Sequence, residues 1–203
     1  MVTFRWANQM AVMILGLAFS WPVVVQAELA RWNVDLDHST IEFRVAHMVV
    51  SKTSGRFMEY AGFVDMDAEA GTFKAIEATI KTASVNTNHE KRDSHLRSPD
   101  FFDVEKYPTI EYKMKRYEKT EDGYQAVGDL TLHGVTKEIV LVGHFNGVAK
   151  DPWGNTRAGF SAEGKVNRKD FGMVWNKALD NGGLVVGNQV HIKLDIECIK
   201  EKK

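Results

Sequence analysis

The clearest pattern in the chain is a pair of long runs on either side of a short turn, within residues 123–147. In the first run Leu130 and Leu132 alternate with polar residues, which indicates a strand with one buried face. The turn falls at His133-Gly134. The second run has apolar side chains on both faces, namely Ile139, Leu141 and Phe145 on one face and Val140, Val142 and Val148 on the other. We therefore predict a β-hairpin whose second strand is covered on both sides.

The same two-residue period recurs along most of the chain. Strand-like alternation covers residues 41–47, 57–66, 73–85, 109–118, 156–166 and 185–199. We count eight or nine strands, and no repeat of a solenoid or propeller period. This pattern predicts a mainly all-β fold, an antiparallel barrel of about eight strands with an interior just wide enough for packed side chains or one elongated ligand.

One segment departs from the strand pattern. Residues 87–90 match a helix capping box, the next residues up to Leu96 are charged and compatible with a helix, and Pro99 ends the run. The aromatic pair Phe101-Phe102 follows in a stretch with neither period. The sequence thus predicts one short α-helix that caps the barrel.

The first 27 residues have the organisation of a Sec-type signal peptide. Arg5 gives a short basic part, residues 11–19 are apolar, and small residues precede Ala27. The apolar run is shorter than the roughly 18 to 20 residues that a membrane span needs. We expect cleavage of residues 1–27, a single mature domain over residues 28–203, export to the periplasm, and no stable membrane insertion.

The charge balance and the single cysteine narrow the classes further. The chain has 26 Lys and Arg against 27 Asp and Glu, and no basic block that could displace counterions from phosphates, so a nucleic-acid partner is not expected. Charged residues opposite the apolar faces favour a soluble barrel over one embedded in lipid. Cys198 is the single cysteine, and its place on the inward face of the last strand predicts a buried, unreactive thiol.

The seven histidines form no metal-binding motif. His89 and His95 are six residues apart and fall on different faces of the predicted helix, and the chain has no HExxH, CxxC or GxSxG. His47 and His133 lie at strand ends, where a structural hydrogen bond is the favoured role. We predict no metal, no cofactor and no catalytic residue. The alternative is a lipocalin-fold enzyme that acts on a bound lipid through these two histidines.

Apolar residues outside the strands raise the question of a cavity. Phe101, Phe102, Phe160, Phe171, Met173 and Trp175 lie in or beside predicted loops. They either fold back onto the core or line the entrance of a cavity for a long apolar ligand. At roughly 0.8 kcal/mol per buried CH₂, burial alone could hold a chain of about a dozen carbons. One polar side chain, from among His47, Arg92 and Asp93, would then orient the head of the ligand.

Four blocks of the sequence resemble the YceI-like family of secreted lipid-binding proteins. They are residues 35–57, 92–112, 128–141 and 186–197, which read DLDHSTIEFRVAHMVVSKTSGRF, RDSHLRSPDFFDVEKYPTIEY, GDLTLHGVTKEIVL and VGNQVHIKLDIE. The resemblance implies an extended, lipocalin-like eight-stranded antiparallel β-barrel with a helix over it, and a tunnel that holds a polyisoprenoid, a quinone or a fatty-acid derivative. It implies binding rather than catalysis. It also implies that residues 100–103 lie against the barrel opening, and that Tyr112, Met114, Leu130 and Leu132 face the lumen.

These patterns lead us to expect a periplasmic carrier or store for an isoprenoid lipid, an isoprenoid quinone or a fatty-acid-like amphiphile. A homodimer is compatible with the sequence, and an interaction module with a collapsed core is a further alternative. The residues expected to contact the ligand are Phe43, Val45, His47, Ile80, Arg92, Phe101, Phe102, Tyr112, Met114, Leu130, Leu132, Phe160, Met173 and Trp175.

Overall fold

The computed structural model describes residues 29–48, 50–179 and 183–202. The predicted signal peptide lies outside these residues. Within them one α-helix, α1 (Glu90–Arg97), and three short 3₁₀ helices (Leu36–His38, Thr82–Ser84 and Arg168–Phe171) accompany eleven strands. No described helix has the length and apolar character needed to cross a membrane. The strands are β1 (Leu29–Val34), β2 (Thr40–His47), β3 (Ser51–Phe57), β4 (Tyr60–Asp67), β5 (Thr72–Lys81), β6 (Val85–Asn86), β7 (Thr109–Thr120), β8 (Gly123–Leu132), β9 (Val135–Lys150), β10 (Thr156–Asn167) and β11 (Val186–Lys200).

Eight of these strands close into an antiparallel barrel. Their order is β1-β4-β5-β7-β8-β9-β10-β11, and β11 pairs back with β1. The pairing with β1 uses the last residues of β11, from Val34 opposite Cys198 to Trp32 opposite Lys200. The first part of β11 pairs with β2 instead, and β3 and β6 continue the sheet from there. The predicted eight-stranded barrel is confirmed, with a sheet extension at one end.

We call the end with the extension the upper end and the opposite end the lower end. At the lower end five aromatic rings pack together. The ring centroid of Phe73 lies 4.8 Å from Tyr124, 4.9 Å from Tyr117, 5.7 Å from Phe160 and 6.4 Å from Phe145. Tilted and edge-to-face arrangements of this kind are favoured by the quadrupoles of the rings. The cluster closes the lower end of the barrel interior.

The predicted hairpin is formed by β8 and β9. His133 and Gly134 have φ values of 51° and 73°, as a two-residue turn of the I′ type requires. The prediction that β9 is covered on both sides is wrong, because Val140 and Val142 are 43% and 50% exposed. The α-helix packs next to β6 at the upper end of the barrel. No described element lies over the outer face of β9 at Val140 and Val142.

Two further boundaries differ from the prediction. Residues 57–66 are not one strand: β3 ends at Phe57 and β4 begins at Tyr60. In between, the main-chain N–H of Met58 donates to Ser84 O over 3.1 Å, and the chain passes from one strand partner to another. The predicted helix is confirmed, but its N-cap is His89. The hydroxyl of Thr87 donates instead to the Asp93 carboxylate.

Arg157, on β10, joins three parts of the barrel where β11 meets β1. Its guanidinium donates to Asp151 over 2.8 Å and to Asp35 over 2.5 Å, and also to Glu197 on β11. The hydrogen bond from Arg157 holds the pKa of Asp151 below its usual range. Burial acts to raise the pKa of Asp35, but the hydrogen bonds from Arg157 and His38 outweigh it and the pKa is lowered. The ionised carboxylates therefore stabilise the fold.

Replacing Arg157 with leucine should lower the urea midpoint of unfolding at pH 7, because three carboxylates lose their common partner. In the unchanged protein Asp35 and Asp151 contribute stability above about pH 4, the unfolded pKa of an Asp carboxyl, and this stability is lost as the pH falls through their lower folded pKa values. The Arg157→Leu variant should show a shallower loss over the same range in urea titrations. Arg116→Leu, which removes exposed pairs with Glu118 and Glu138, serves as control and should change the midpoint little.

Cys198 is fully buried between β1 and β10, and burial raises the pKa of its thiol to about 12. We expect no reaction of the folded protein with a chromogenic disulfide reagent at pH 8, because the thiolate is the reacting form. Reaction should appear along the urea unfolding curve. A Val142→Cys, Cys198→Ser double variant, with its thiol on the exposed face of β9, should react at once. Fast labelling of native Cys198 would contradict its buried position.

Candidate functional site

The barrel encloses a cavity of about 240 Å³. Tyr124 and Phe160 of the lower aromatic cluster form its floor, and Leu96, Phe101 and Phe102 reach it from the upper end. A volume of this size lies just below the roughly 300–1,000 Å³ of pockets that hold drug-sized ligands. The cavity is thus large enough to hold part of a long, thin molecule.

The period-two pattern of the strands makes the wall apolar. Along β11 the side chains of Val190, Ile192, Leu194 and Ile196 all point into the cavity, because alternate residues of a strand share a face. Corresponding residues of β2, β5, β7, β8, β9 and β10 complete the wall, among them Ile41, Ile76, Ile110, Ile139, Leu141, Ala162 and Val166.

Tyrosine hydroxyls at the wall turn towards the main chain. Tyr112 donates to Ala126 O over 3.1 Å and Tyr124 donates to Ser161 O over 3.4 Å. Burial raises the pKa of both phenols, that of Tyr124 to about 12. Each ring therefore adds apolar surface to the wall while its polar atom is satisfied elsewhere.

Ten of the fourteen predicted contact residues lie on the cavity wall. They are Phe43, Val45, Ile80, Phe101, Phe102, Tyr112, Leu130, Leu132, Phe160 and Met173. The alternation of the predicted strands led to seven of these predictions. The apolar segments outside the strands led to the other three, Phe101, Phe102 and Met173. Their contact with a ligand stays a prediction.

The structure places the other four off the wall. His47 Nδ1 lies 3.1 Å from Val185 O, and Arg92 is exposed with its guanidinium on Thr87. Trp175 packs on the outside of Phe101, with ring centroids 5.2 Å apart. Met114 is half-buried next to a bulge in β7. The positions of His47 and Trp175 depend on contacts with residues distant in the sequence, that of Met114 on a strand irregularity, and that of Arg92 on a local hydrogen bond to Thr87.

The two histidines of the enzyme alternative both contact the main chain. His133 donates from Nδ1 to Phe171 O over 3.0 Å, and its ring packs on Tyr107 with 4.5 Å between centroids. His47 contacts the carbonyl of Val185. Neither ring lies on the wall of the 240 Å³ cavity. The hydrogen-bonded structural role favoured from sequence agrees with these contacts.

Asp35, His38 and Glu197 are a different cluster, on the outside of the barrel. Their ligand atoms all lie within 4.8 Å of one another. Arg157 donates to both carboxylates, however, and so places a positive charge where a cation would bind. The hydrogen bond that His38 donates to the Asp35 carboxylate raises the pKa of His38, which also favours an ion-paired cluster over a metal site.

Arg168 is a wall residue that the sequence reasoning missed. Its side chain is 3% exposed and donates to the carbonyls of Met173 over 2.6 Å, Gly187 over 2.9 Å and Val186 over 3.5 Å. Burial lowers the pKa of its guanidinium. A signal was present, because Arg168 continues the inward parity of Phe160 and the residues after it on β10. None of its hydrogen-bond partners in the described chain is a carboxylate.

The upper end is covered by α1 and the loop that follows. Arg97 fixes the helix by donating to Ala83 O and Val85 O, each over 2.8 Å. His95 lies 2.8 Å from the Asp100 carboxylate, and its ring is 5.0 Å from that of Phe101. Residues 100–103 and the preceding helix therefore lie against the barrel opening, as the resemblance implied.

A sequence profile of the family described as YceI-like domain matches residues 32–198. This chain belongs to the YceI-like family. The match spans the whole barrel, from β1 to the part of β11 that pairs with β1.

Other members of the YceI-like family are similar over most of their length. The chain is 38% identical to the UPF0312 protein plu2095 of Photorhabdus laumondii over 175 residues, which cover 85% of this chain and 88% of that protein. It is 36% identical to Protein YceI of Escherichia coli over 193 residues, or 93% and 98% of the two chains.

Solved structures share the fold. The Campylobacter jejuni YCEI protein superposes with a TM-score of 0.67 at 36% identity, over 78% of this chain and 90% of that one. A polyisoprenoid binding domain from Saccharophagus degradans superposes with a TM-score of 0.59 at 14% identity, over 85% and 99% of the chains. The second likeness concerns the fold alone.

Proposed function

We propose that this protein is a periplasmic carrier or store for a long-chain isoprenoid lipid, with isoprenoid quinones and fatty-acid-like amphiphiles as chemically related ligands. The observation that carries the proposal is the 240 Å³ cavity, whose wall surface is almost entirely aliphatic and aromatic from the floor to the covering helix. At roughly 0.8 kcal/mol for each CH₂ removed from water, such a wall binds a chain without many polar contacts.

The likeness to known proteins supports the same class of ligand. The Saccharophagus degradans protein that shares this fold is described as a polyisoprenoid binding domain. The periplasmic location rests on the composition of residues 1–27, which have the basic, apolar and small-residue parts of an export signal. The ligand class and the periplasmic location are both parts of the proposal.

Arg168 is the residue we assign to the head of the ligand. A guanidinium has five N–H donors, and the three carbonyl contacts of Arg168 use three of them. The Arg168 side chain lies on the cavity wall near the upper end. A ligand that fills the cavity from its floor upwards would place its head there. The two remaining N–H groups of the guanidinium can donate to a carbonyl, phosphate or carboxylate oxygen of the ligand. The other polar candidates, His47, Arg92 and Asp93, do not lie on the cavity wall.

Organic extraction of the purified protein followed by mass spectrometry should release a long-chain isoprenoid or a related amphiphile. Ile139→Trp adds a ring system to the cavity wall and should reduce the extracted amount to less than roughly half, since the added side chain takes space from the ligand. Val140→Trp changes the next residue, which faces outward and is 43% exposed, and should leave the amount unchanged. Equal amounts from the two variants, or no lipid from any protein, would contradict the proposal.

Arg168→Gln should weaken binding of an isoprenoid with a carbonyl or phosphate head more than binding of a hydrocarbon of equal length. The affinity loss should be about tenfold, the range of a charge-assisted hydrogen bond. Arg97→Gln is the matched control, because Arg97 also donates to two main-chain carbonyls but does not lie on the cavity wall. Titrations of both ligands measure the difference. Equal losses for the two head types would remove Arg168 from the head-group site.

A further inference from the structure

Two segments at the upper end expose large apolar side chains. Met48 and Val50, at the β2–β3 connection, are 41% and 85% exposed, and Val174 and Leu184, in the segment before β11, are 65% and 40% exposed. The main-chain N–H of Met48 donates to Val185 O over 2.9 Å, which holds the two segments side by side. We call Met48, Val50, Val174 and Leu184 the apolar rim.

The apolar rim directly continues the cavity wall. Val45, Met173 and Val186 line the cavity, and each lies within three residues of a rim residue on the same segment. The rim residues therefore neighbour cavity-wall residues along both segments, at the upper end of the cavity. Contiguous exposed apolar side chains next to a cavity are typical of a contact site with a partner or a membrane.

A basic groove lies beside the apolar rim. It is a second cavity, of about 280 Å³, on the outer face of β2, β3 and β11. Arg44, Lys52 and His191 line it, at the position where the register between β11 and β2 shifts after Val186. Arg44 lies opposite His191 in the sheet, and Lys52 lies opposite Ala46 next to it. The groove thus brings together a cationic side chain from β2, another from β3 and a histidine from β11.

The described charged side chains of the two segments that carry the rim are basic. Among the described residues of 46–54 and 172–187, the charged side chains are Lys52 and Lys177. Val49 and Asp180 of these segments lie outside the described residues. A second copy of the chain docked by the same surface would bring like charges together across a two-fold axis. A surface that is apolar and cationic at once instead matches a bilayer that contains anionic lipids.

We propose that the apolar rim and the basic groove together dock the protein onto an anionic phospholipid bilayer, with the upper end of the cavity facing the membrane. The rim side chains enter the boundary between head groups and acyl chains, and Arg44 and Lys52 contact the phosphates. A lipid that moves between the cavity and the bilayer then stays in apolar surroundings. The docking itself does not require a particular cargo, and its purpose rests on the proposed function.

Vesicle co-sedimentation tests the docking. The protein, purified from cells that express and export the full chain, should bind vesicles with roughly a quarter phosphatidylglycerol in phosphatidylcholine, and should bind pure phosphatidylcholine far more weakly. Added salt should weaken the binding, because it screens the cationic contacts. Since every variant carries the same N-terminus, differences between variants report the rim and the groove.

Variants separate the two parts of the surface. Val50→Asp and Val174→Asp should each lower the affinity about tenfold by placing a charge at the bilayer boundary, and Arg44→Gln with Lys52→Gln should lower it by a similar factor. Val142→Asp, on the exposed outer face of β9, is the control for the rim. Lys74→Gln with Lys150→Gln, exposed near the lower end, is the control for the groove. The controls should bind as the unchanged protein does.

Three results would overturn the proposal: no binding to vesicles of either composition, equal losses in the rim variants and in Val142→Asp, or a dimer in solution that Val50→Asp abolishes. The last result would assign the rim to a second copy. Extraction of each variant separates this test from the proposed function, because a docking variant that keeps its lipid has lost only membrane contact. A protein that docks but contains no lipid would support the surface and contradict the carrier.

Discussion

The structure depends on the way in which β11 divides its edge between two strands. On one side β11 pairs with β10 along its length. On the other side its first part pairs with β2 and its last three paired residues close the barrel against β1. A strand of fifteen residues spans about 50 Å, which is long enough for both partners. Arg157 fixes the place where the partner changes, through Asp35 after β1 and Glu197 on β11.

The cavity follows from this division. Below, eight strands close around the aromatic cluster of Phe73 and its neighbours, which fills the interior. Above, β2 and β3 widen the sheet, and α1 with Phe101 and Phe102 covers the opening without filling it. The phenols at the wall satisfy their hydroxyls on main-chain carbonyls. The result is an apolar space whose few polar donors lie near the upper end, where the guanidinium of Arg168 is buried.

A binding protein needs a route for its ligand as well as a place for it. In this molecule the cavity wall, the apolar rim and the basic groove follow one another at the upper end, so that the cargo, its head group and the membrane surface would meet there. The lower end has the aromatic cluster and the ion-paired turn around Asp151, which close it. His47 and His133, the two histidines of the enzyme alternative, both hold connections of the upper end in place.

The spacing of apolar and polar residues is enough to predict the barrel class, the position of the helix and the inward faces of the strands. Alternate residues of a strand must point to opposite sides, so Leu130, Leu132 and Cys198 could be assigned to the interior from their spacing alone. Tertiary contacts settle that β3 and β4 are separate strands, that the outer face of β9 at Val140 stays uncovered, and that the guanidinium of Arg168 is held at the wall while the ring of His47 is held off it. The positions of Met58, Arg168 and His47 depend on hydrogen bonds to carbonyls far away in the chain, as from Arg168 to Gly187, and local periodicity carries no information about such partners.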